Sequence, residues 1–295
     1  MIEPPSAVAD RGRSRVLVLG AAGMLGSTVL RFFAERGRYA VVGSVRARRN
    51  VVPAELRDCV VEGVDAADFE QVARLLDSTR PDVVINCIGV VKQLAEAADP
   101  LVALPINSLL PHRLARHCEA RGARLLHVST DCVFSGKKGM YTEADPSDAE
   151  DLYGRSKLLG EVDYPNAVTL RTSIIGHELV GAHGLLEWFL AQSNRVLGYT
   201  KVVFSGLPTV EIALVMHDFI LETAALRGVY HVSSDPITKY SLLQLISRAY
   251  GHNIEIEPDD RIAIDRSLDS TRFRAATGYV PPPWQELVDR MRRFG

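Results

Sequence analysis

No stretch of the 295 residues is apolar for long enough to span a membrane. The opening MIEPPSAVADRGRS also lacks the apolar core of a secretory signal, and residues 1–13 read as a flexible tail. Cysteine is scarce: Cys59, Cys87, Cys118 and Cys132 form no CxxC and have no histidine at zinc-ligand spacing. That argues against a metal site or a disulfide scaffold. Cys59 and Cys87 lie in apolar, strand-like runs, where buried free thiols are the rule, so a reducing, cytoplasmic setting is expected. An excess of one charge is missing too. The formal net charge is −2, which offers neither nucleic acid nor an anionic membrane a surface to bind. There is no internal repeat and no low-complexity linker. What remains is 47% hydrophobic and 24% charged, the composition of a globular enzyme with one large domain or one domain and a smaller lobe.

The first half alternates strand-like and helix-like segments. RVLVLG (15–20), YAVVGSV (39–45), CVVEGVD (59–65), PDVVINCIG (81–89) and ARLLHVST (123–130) read as strands. MLGSTVLRFFAERG (24–37) and DFEQVARLLDSTR (68–80) have helical periodicity, and a longer helix is expected over 101–121, interrupted at Pro105 and Pro111. This alternation predicts an α/β fold, a Rossmann-type doubly wound parallel sheet. The second half is less regular. AVTLRTSII (167–175) and GVYHVSS (228–234) read as strands; LLEWFLAQ, VEIALVMHDFILETAALRG and YSLLQLISRAYG read as helices, and a last short helix follows PPPW. The expected division is a cofactor-binding core over 14–175 that carries the catalytic residues. Residues 176–295 then form a small substrate-binding lobe with elements returning to the core sheet.

LGAAGMLGS places Gly20, Gly23 and Gly26 between a strand and a helix. Glycines there permit a tight turn and close approach to a pyrophosphate, and the helix N-terminus offers unpaired N–H groups. An acidic residue after the second strand would bind a ribose diol, but none occurs between Tyr39 and Glu55. Ser44 and Arg46 (or Arg48) stand there instead, which favours the 2′-phosphate of NADPH over NADH. Asp65, after the third strand, suits either the adenine amino group or a turn. Cys87, Ile88 and Gly89 end the fourth strand at the edge where parallel sheets bind ligands. Asn107 could serve the cofactor side or cap a helix.

Tyr153 and Lys157, in DLYGRSKLLGEV, lie four residues apart in a helical segment and so share a face. An ammonium beside a phenol favours tyrosinate, which suits proton transfer near neutral pH. HVSTDCVFSG brings Ser129, Thr130 and Asp131 to the end of the fifth strand. A hydroxyl there can bond a carbonyl while Tyr153 supplies the proton.

GAAGMLGS, PDVVINCIG, STDCVFSG, YGRSKLLGE and LRTSIIG, in this order, resemble an extended short-chain dehydrogenase/reductase, and STD-x-VF-x-G with the later SGLPT is most similar to the dTDP-4-dehydrorhamnose reductase branch. The likeness covers about residues 15–235. It implies Thr130, Tyr153 and Lys157 as the catalytic trio, with Gly20, Gly23, Met24, Leu25 and Gly26 on the pyrophosphate. It also implies Arg171, Thr172 and Ser173 near nicotinamide and substrate. The implied activity is reduction of the C4 keto group of a nucleotide-linked deoxysugar with NADPH, in the cytoplasm, for surface polysaccharides or natural products. The same branch includes an NADP-binding regulatory subunit of methionine adenosyltransferase, and the wider fold includes epimerases and dehydratases. Ile174 stands where the rhamnose enzymes carry an aromatic residue, and Cys132 where Tyr is common. Trp188, in LLEWFLAQ, reads as a packing residue or as a replacement for that aromatic surface from a neighbouring helix, while Glu143 and Asp145 read as ordering their loop. A homodimer is the expected assembly, two-fold association being the commonest.

Overall fold

The computed structural model describes residues 12–47, 49–93 and 95–295. Residues 1–11 of the expected tail, and Arg48, lie outside that set. The described residues form two compact units. One takes the chain up to Ser129 together with Asp151–Leu170 and Ala225–Val229; the other takes Thr130–Glu150, Arg171–Ala224 and Tyr230–Gly295.

In chain order the first elements are β1 (Arg15–Leu19), α1 (Met24–Arg36), β2 (Ala40–Val45), β3 (Val60–Glu62), α2 (Phe69–Thr79) and β4 (Val83–Asn86). There follow α3 (Pro100–Ala103), α4 (Leu110–Glu119), β5 (Arg124–Val128), α5 (Leu152–Leu159) and β6 (Ala167–Arg171). The later elements are β7 (Ile174–Ile175), α6 (Leu185–Leu190), β8 (Val196–Phe204), β9 (Leu207–Pro208), α7 (Thr209–Leu214) and β10 (Gly228–His231). The last are β11 (Ile237–Thr238), α8 (Lys239–Tyr250), β12 (Ile256–Asp265), α9 (Thr271–Thr277) and α10 (Trp284–Phe294).

Strands β3, β2, β1, β4, β5 and β6 pair in that order, each pair parallel, with β10 at the outer side of β6. This is the doubly wound order of a dinucleotide fold. Asp68 caps α2, its carboxylate accepting the Glu70 N–H, and Val72, Leu75, Leu76 and Thr79 recur at helical spacing on the buried face. Each of the three aliphatic side chains contributes about 1.5–3 kcal/mol by leaving water. Among the described residues no helix is long and apolar enough to cross a membrane.

The helix expected over 101–121 is interrupted at Pro105, as read, by a π-helical turn at Leu104–Leu109, where the Leu110 N–H reaches back to the Pro105 carbonyl; Pro111 makes no break, because it lies in the first turn of α4. Pro105 has no N–H to continue the α-helical ladder, and the widened turn absorbs the defect. AVTLRTSII does not run as one strand. β6 stops at Arg171, and β7 pairs instead with β9. The cause lies in the two residues between: the Thr172 carbonyl accepts from Asp131 N and the Ser173 carbonyl from Leu207 N.

The second unit has a three-stranded sheet in the order β11-β8-β12. β8 pairs antiparallel with β11 and parallel with β12. Here α10 is fixed by charge as well as by Leu287, Val288 and Met291. Glu211 on α7 is buried, accepting from Tyr279 Oη at 3.0 Å and from an Arg290 guanidinium N–H at 2.7 Å. Glu211→Ala should lower unfolding stability by about 2 kcal/mol, since it leaves the buried Tyr279 hydroxyl without its acceptor and leaves Arg290 with Glu286 alone. Chemical denaturation measures this. A loss below about 0.5 kcal/mol would mean the network holds nothing.

Candidate active site

The glycine turn is built in the first unit. Gly20 has φ +82°, a left-handed conformation in which a side chain is strained, and an added Cβ would meet Ile88 Cγ1 at 3.0 Å. Gly26 sits so close to the turn that a Cβ would fall 2.2 Å from the Gly20 carbonyl oxygen. The turn closes through Gly23 N to Gly20 O, while Ala21 N bonds Ser44 O on β2. Gly23 caps α1 with no side chain, and the first helical bond of that turn is Ser27 N to Gly23 O. The N–H groups of Met24, Leu25 and Gly26 therefore have no acceptor within the helix. This cradle of bare backbone and helix-end donors fits a dinucleotide pyrophosphate.

Of the residues expected around the adenosine end, Ser44 is buried in β2, and Arg46 is exposed just beyond that strand. Arg49, which follows in the same run RARR, is spent locally. Its guanidinium bonds the Arg57 carbonyl and pairs with Asp58. Asp65 adopts the turn alternative, its carboxylate accepting from Ala67 N at 3.0 Å.

At the end of β4, Cys87 N bonds the Leu19 carbonyl and Ile88 N bonds Asn86 Oδ1. Burial pushes the Cys87 thiol up to about 12, although the nearby Lys157 charge opposes this. Asn107, on the π-helical turn, settles its open alternatives by binding protein. Its amide accepts from Val90 N at 2.9 Å, and donates to Val90 O and to Ser156 Oγ, both at 3.1 Å. It thus ties the chain after Gly89 to α5.

α5 starts at an Asp151 cap, whose carboxylate accepts the Gly154 N–H, and carries Tyr153 and Lys157 one turn apart. Lys157 is buried, and its ammonium donates to the Val128 carbonyl at 2.7 Å. Burial lowers it to about 8, with Glu161 and Cys87 pulling the other way. Glu161 accepts from the Ser129 hydroxyl at 2.7 Å, so that hydroxyl is committed to protein. Beneath lies His127, which the sequence reading did not single out. Asn86 Oδ1 is taken by Ile88 N, so its amide faces His127 Nδ1 as donor at 3.1 Å, and the ring carries its proton on Nε2. Burial and the Lys157 charge hold His127 neutral.

The remaining expected residues belong to the second unit. Thr130 Oγ1 donates to Asp131 Oδ1 at 3.2 Å and accepts the Cys132 N–H at 3.1 Å. Burial raises the Asp131 carboxyl, while Arg266 and the hydrogen bonds from Cys132, Thr130 and Ser173 oppose the rise. Arg171 is buried and turned to protein, 5.2 Å over the Phe134 ring and 3.3 Å from His231 Nε2. Glu143 accepts the His231 N–H, and Asp145 accepts Thr142 N and Oγ1, so both order their segments as expected. Trp188 is not a packing residue: it is 38% exposed on α6. Ile174 is half-buried in β7. Lys239, missed by the sequence reading, has its ammonium lowered by burial, with Asp131 and Cys132 opposing and Arg266 adding to the effect. The available signal was a lysine set directly after a Thr cap, in ITKYSLLQLI.

A protein of Haloferax volcanii named "Probable low-salt glycan biosynthesis reductase Agl14" is 34% identical over 228 residues, 74% of this chain and 73% of the relative. The methionine adenosyltransferase 2 subunit beta of Rattus norvegicus is 34% identical over 258 residues, 80% of this chain and 72% of the relative. A dTDP-4-dehydrorhamnose reductase of Mycobacterium tuberculosis is 31% identical over 242 residues, 77% and 72% of the two chains. Among solved structures, the dTDP-4-dehydrorhamnose reductase of Bacillus anthracis in complex with NADP superposes with a TM-score of 0.78 at 20% identity. It covers 95% of this chain and 99% of its own, a likeness of fold. The profile of the RmlD substrate binding domain matches residues 14–293, and the chain belongs to that family.

Proposed function

We propose that this protein is an NADPH-dependent reductase of the 4-keto group of a nucleotide-activated deoxysugar, with NADH a weaker alternative. The relatives named as reductases support this reading. The observation that carries it is Tyr153 one helical turn from a buried Lys157 anchored to Val128 O, in the same unit as the glycine turn. Residues 14–175 hold cofactor and catalytic groups, and residues 176–295 supply the substrate lobe. The product feeds surface polysaccharide or natural-product synthesis from the cytoplasm.

Gly20, Gly23, Met24, Leu25 and Gly26 hold the pyrophosphate by backbone N–H groups and the helix end. Ser44 and Arg46 take the 2′-phosphate, and Asp65, Cys87, Ile88, Gly89 and Ser129 border the cofactor. Bound NADPH supplies the hydride. Tyr153 gives its phenolic proton to the oxygen that becomes the alcohol, and Lys157 binds the nicotinamide ribose and keeps positive charge beside the developing tyrosinate. Thr130 and Asp131 orient the sugar, with Arg171 and Ser173 on the substrate side.

NADPH oxidation followed at 340 nm against a panel of 4-keto-6-deoxy sugar nucleotides tests the activity. Turnover on a panel member supports it. Tight NADPH binding without turnover on any member overturns it and favours a binding subunit, the role suggested by the methionine adenosyltransferase relatives. Light scattering of the purified protein tests the homodimer. Arg46→Ala should raise the NADPH Kd about tenfold or more and leave NADH unchanged, the loss of a charge-assisted phosphate contact. Equal affinities before and after would remove Arg46 as the phosphate reader.

A further inference from the structure

Resting on the nucleotide-sugar reading, we infer that Lys239, with Arg266, forms a binding subsite for an anionic group of the substrate beside Thr130 and Asp131. Four segments of the second unit meet here: the Thr130–Val133 turn, Ser173, the start of α8, and Arg266 after β12.

Lys239 is poorly placed for stability. It is the first residue of α8, whose first turn contains no acidic side chain. A cation at that end meets the positive pole of the helix and the unpaired N–H groups of the first turn. Its side chain is half-buried, yet among the described residues the ammonium makes no hydrogen bond and no ion pair. A desolvated, unpaired ammonium is costly, and such local conflicts collect at functional sites.

The neighbouring groups do not relieve it. Asp131 is the nearby carboxylate, but Thr130, Cys132 and Ser173 already supply its hydrogen bonds, and neither Lys239 nor Arg266 closes an ion pair with it. Arg266 spends its Nε on the Phe134 carbonyl at 2.8 Å, which aims the guanidinium without neutralising it. The cluster therefore holds two cations against one satisfied carboxylate. An incoming anion would meet Lys239 and Arg266 together at the positive end of α8, where Thr238 caps the Ser241 N–H. A nucleotide sugar can present two such groups, its diphosphate and a carboxylate on the pyranose ring.

Calorimetric titration separates these sources, using full-length protein loaded with NADP⁺ and UDP- and dTDP-linked glucose and glucuronate. Lys239→Met keeps the length of the side chain and removes the charge. If the diphosphate is bound, this variant weakens glucose and glucuronate forms equally, by about tenfold or more. If the ring carboxylate is bound, wild type prefers the glucuronate forms and the variant loses only that preference. Lys239→Arg should retain most of the affinity in either case. Unliganded Lys239→Met should melt no lower than wild type, because the unpaired ammonium adds nothing to stability. Unchanged affinity for every ligand overturns the subsite alone. Wild type that binds NADP⁺ but none of the four nucleotide sugars overturns the nucleotide-sugar reading, and the subsite with it.

Discussion

Tyr153→Phe is expected to cut kcat by about 10²–10⁴-fold, the usual worth of a positioned general acid, while the Kd for NADPH changes less than about threefold. The substitution removes one hydroxyl from a side chain that is only half-buried on α5, so the helix and its Asp151 cap stay in place. The cofactor cradle of Gly20–Gly26 is made by backbone groups on another loop. An effect on turnover without an effect on binding separates proton donation from architecture. Stopped-flow hydride transfer together with fluorescence titration of NADPH gives both numbers. Turnover within threefold of wild type would remove Tyr153 as the donor.

The second large effect is on pH. Lys157 titrates at about 8 in the free protein because burial disfavours its ammonium. The charged form is the one the mechanism uses, so log kcat/KM should fall with unit slope as pH rises above about 8, roughly tenfold per unit. Cys87, the nearest thiol, stands at about 12 and cannot produce that limb. In Lys157→Met the residual rate should show no break near 8. A wild-type profile flat to pH 10 would refute the assignment. Stability moves the opposite way. The folded pKa lies below the unfolded value of 10.5, so between about 8 and 10.5 the unfolded chain binds more protons. This group therefore makes the protein more stable as pH rises through that window.

The sheet was legible because each of its strands is a short apolar run that ends in turn residues, and because α2 repeats its buried side chains at helical spacing. β8 and β12 were not. β8 alternates burial unevenly and carries Gly198, where a Cβ would fall 2.7 Å from both Ile256 and Tyr240. The glycine there serves close packing, which a single sequence reads as a break. In the candidate site, motif order was enough to place Gly20, Tyr153 and Lys157 on their elements. It could not reveal Glu161 under Ser129, Asn107 across Val90 and Ser156, or Lys239 beside Asp131. Those are contacts between residues 17 to more than 100 positions apart, and pairing at that distance leaves no local periodicity to read.

The bonds around Thr130 carry a consequence for the direction of the chemistry. A hydroxyl has one proton and two lone pairs. Thr130 gives its proton to Asp131 Oδ1 and one lone pair to the Cys132 N–H, which leaves a single acceptor position. As it stands, that position is complementary to an alcohol, the form of the sugar after reduction, and not to a ketone, which can only accept. To greet the ketone the hydroxyl must swing its proton away from Asp131. In its proposed role, Thr130 of the unliganded protein thus has the hydrogen-bond polarity of the product complex, and binding of the ketone would require that polarity to invert.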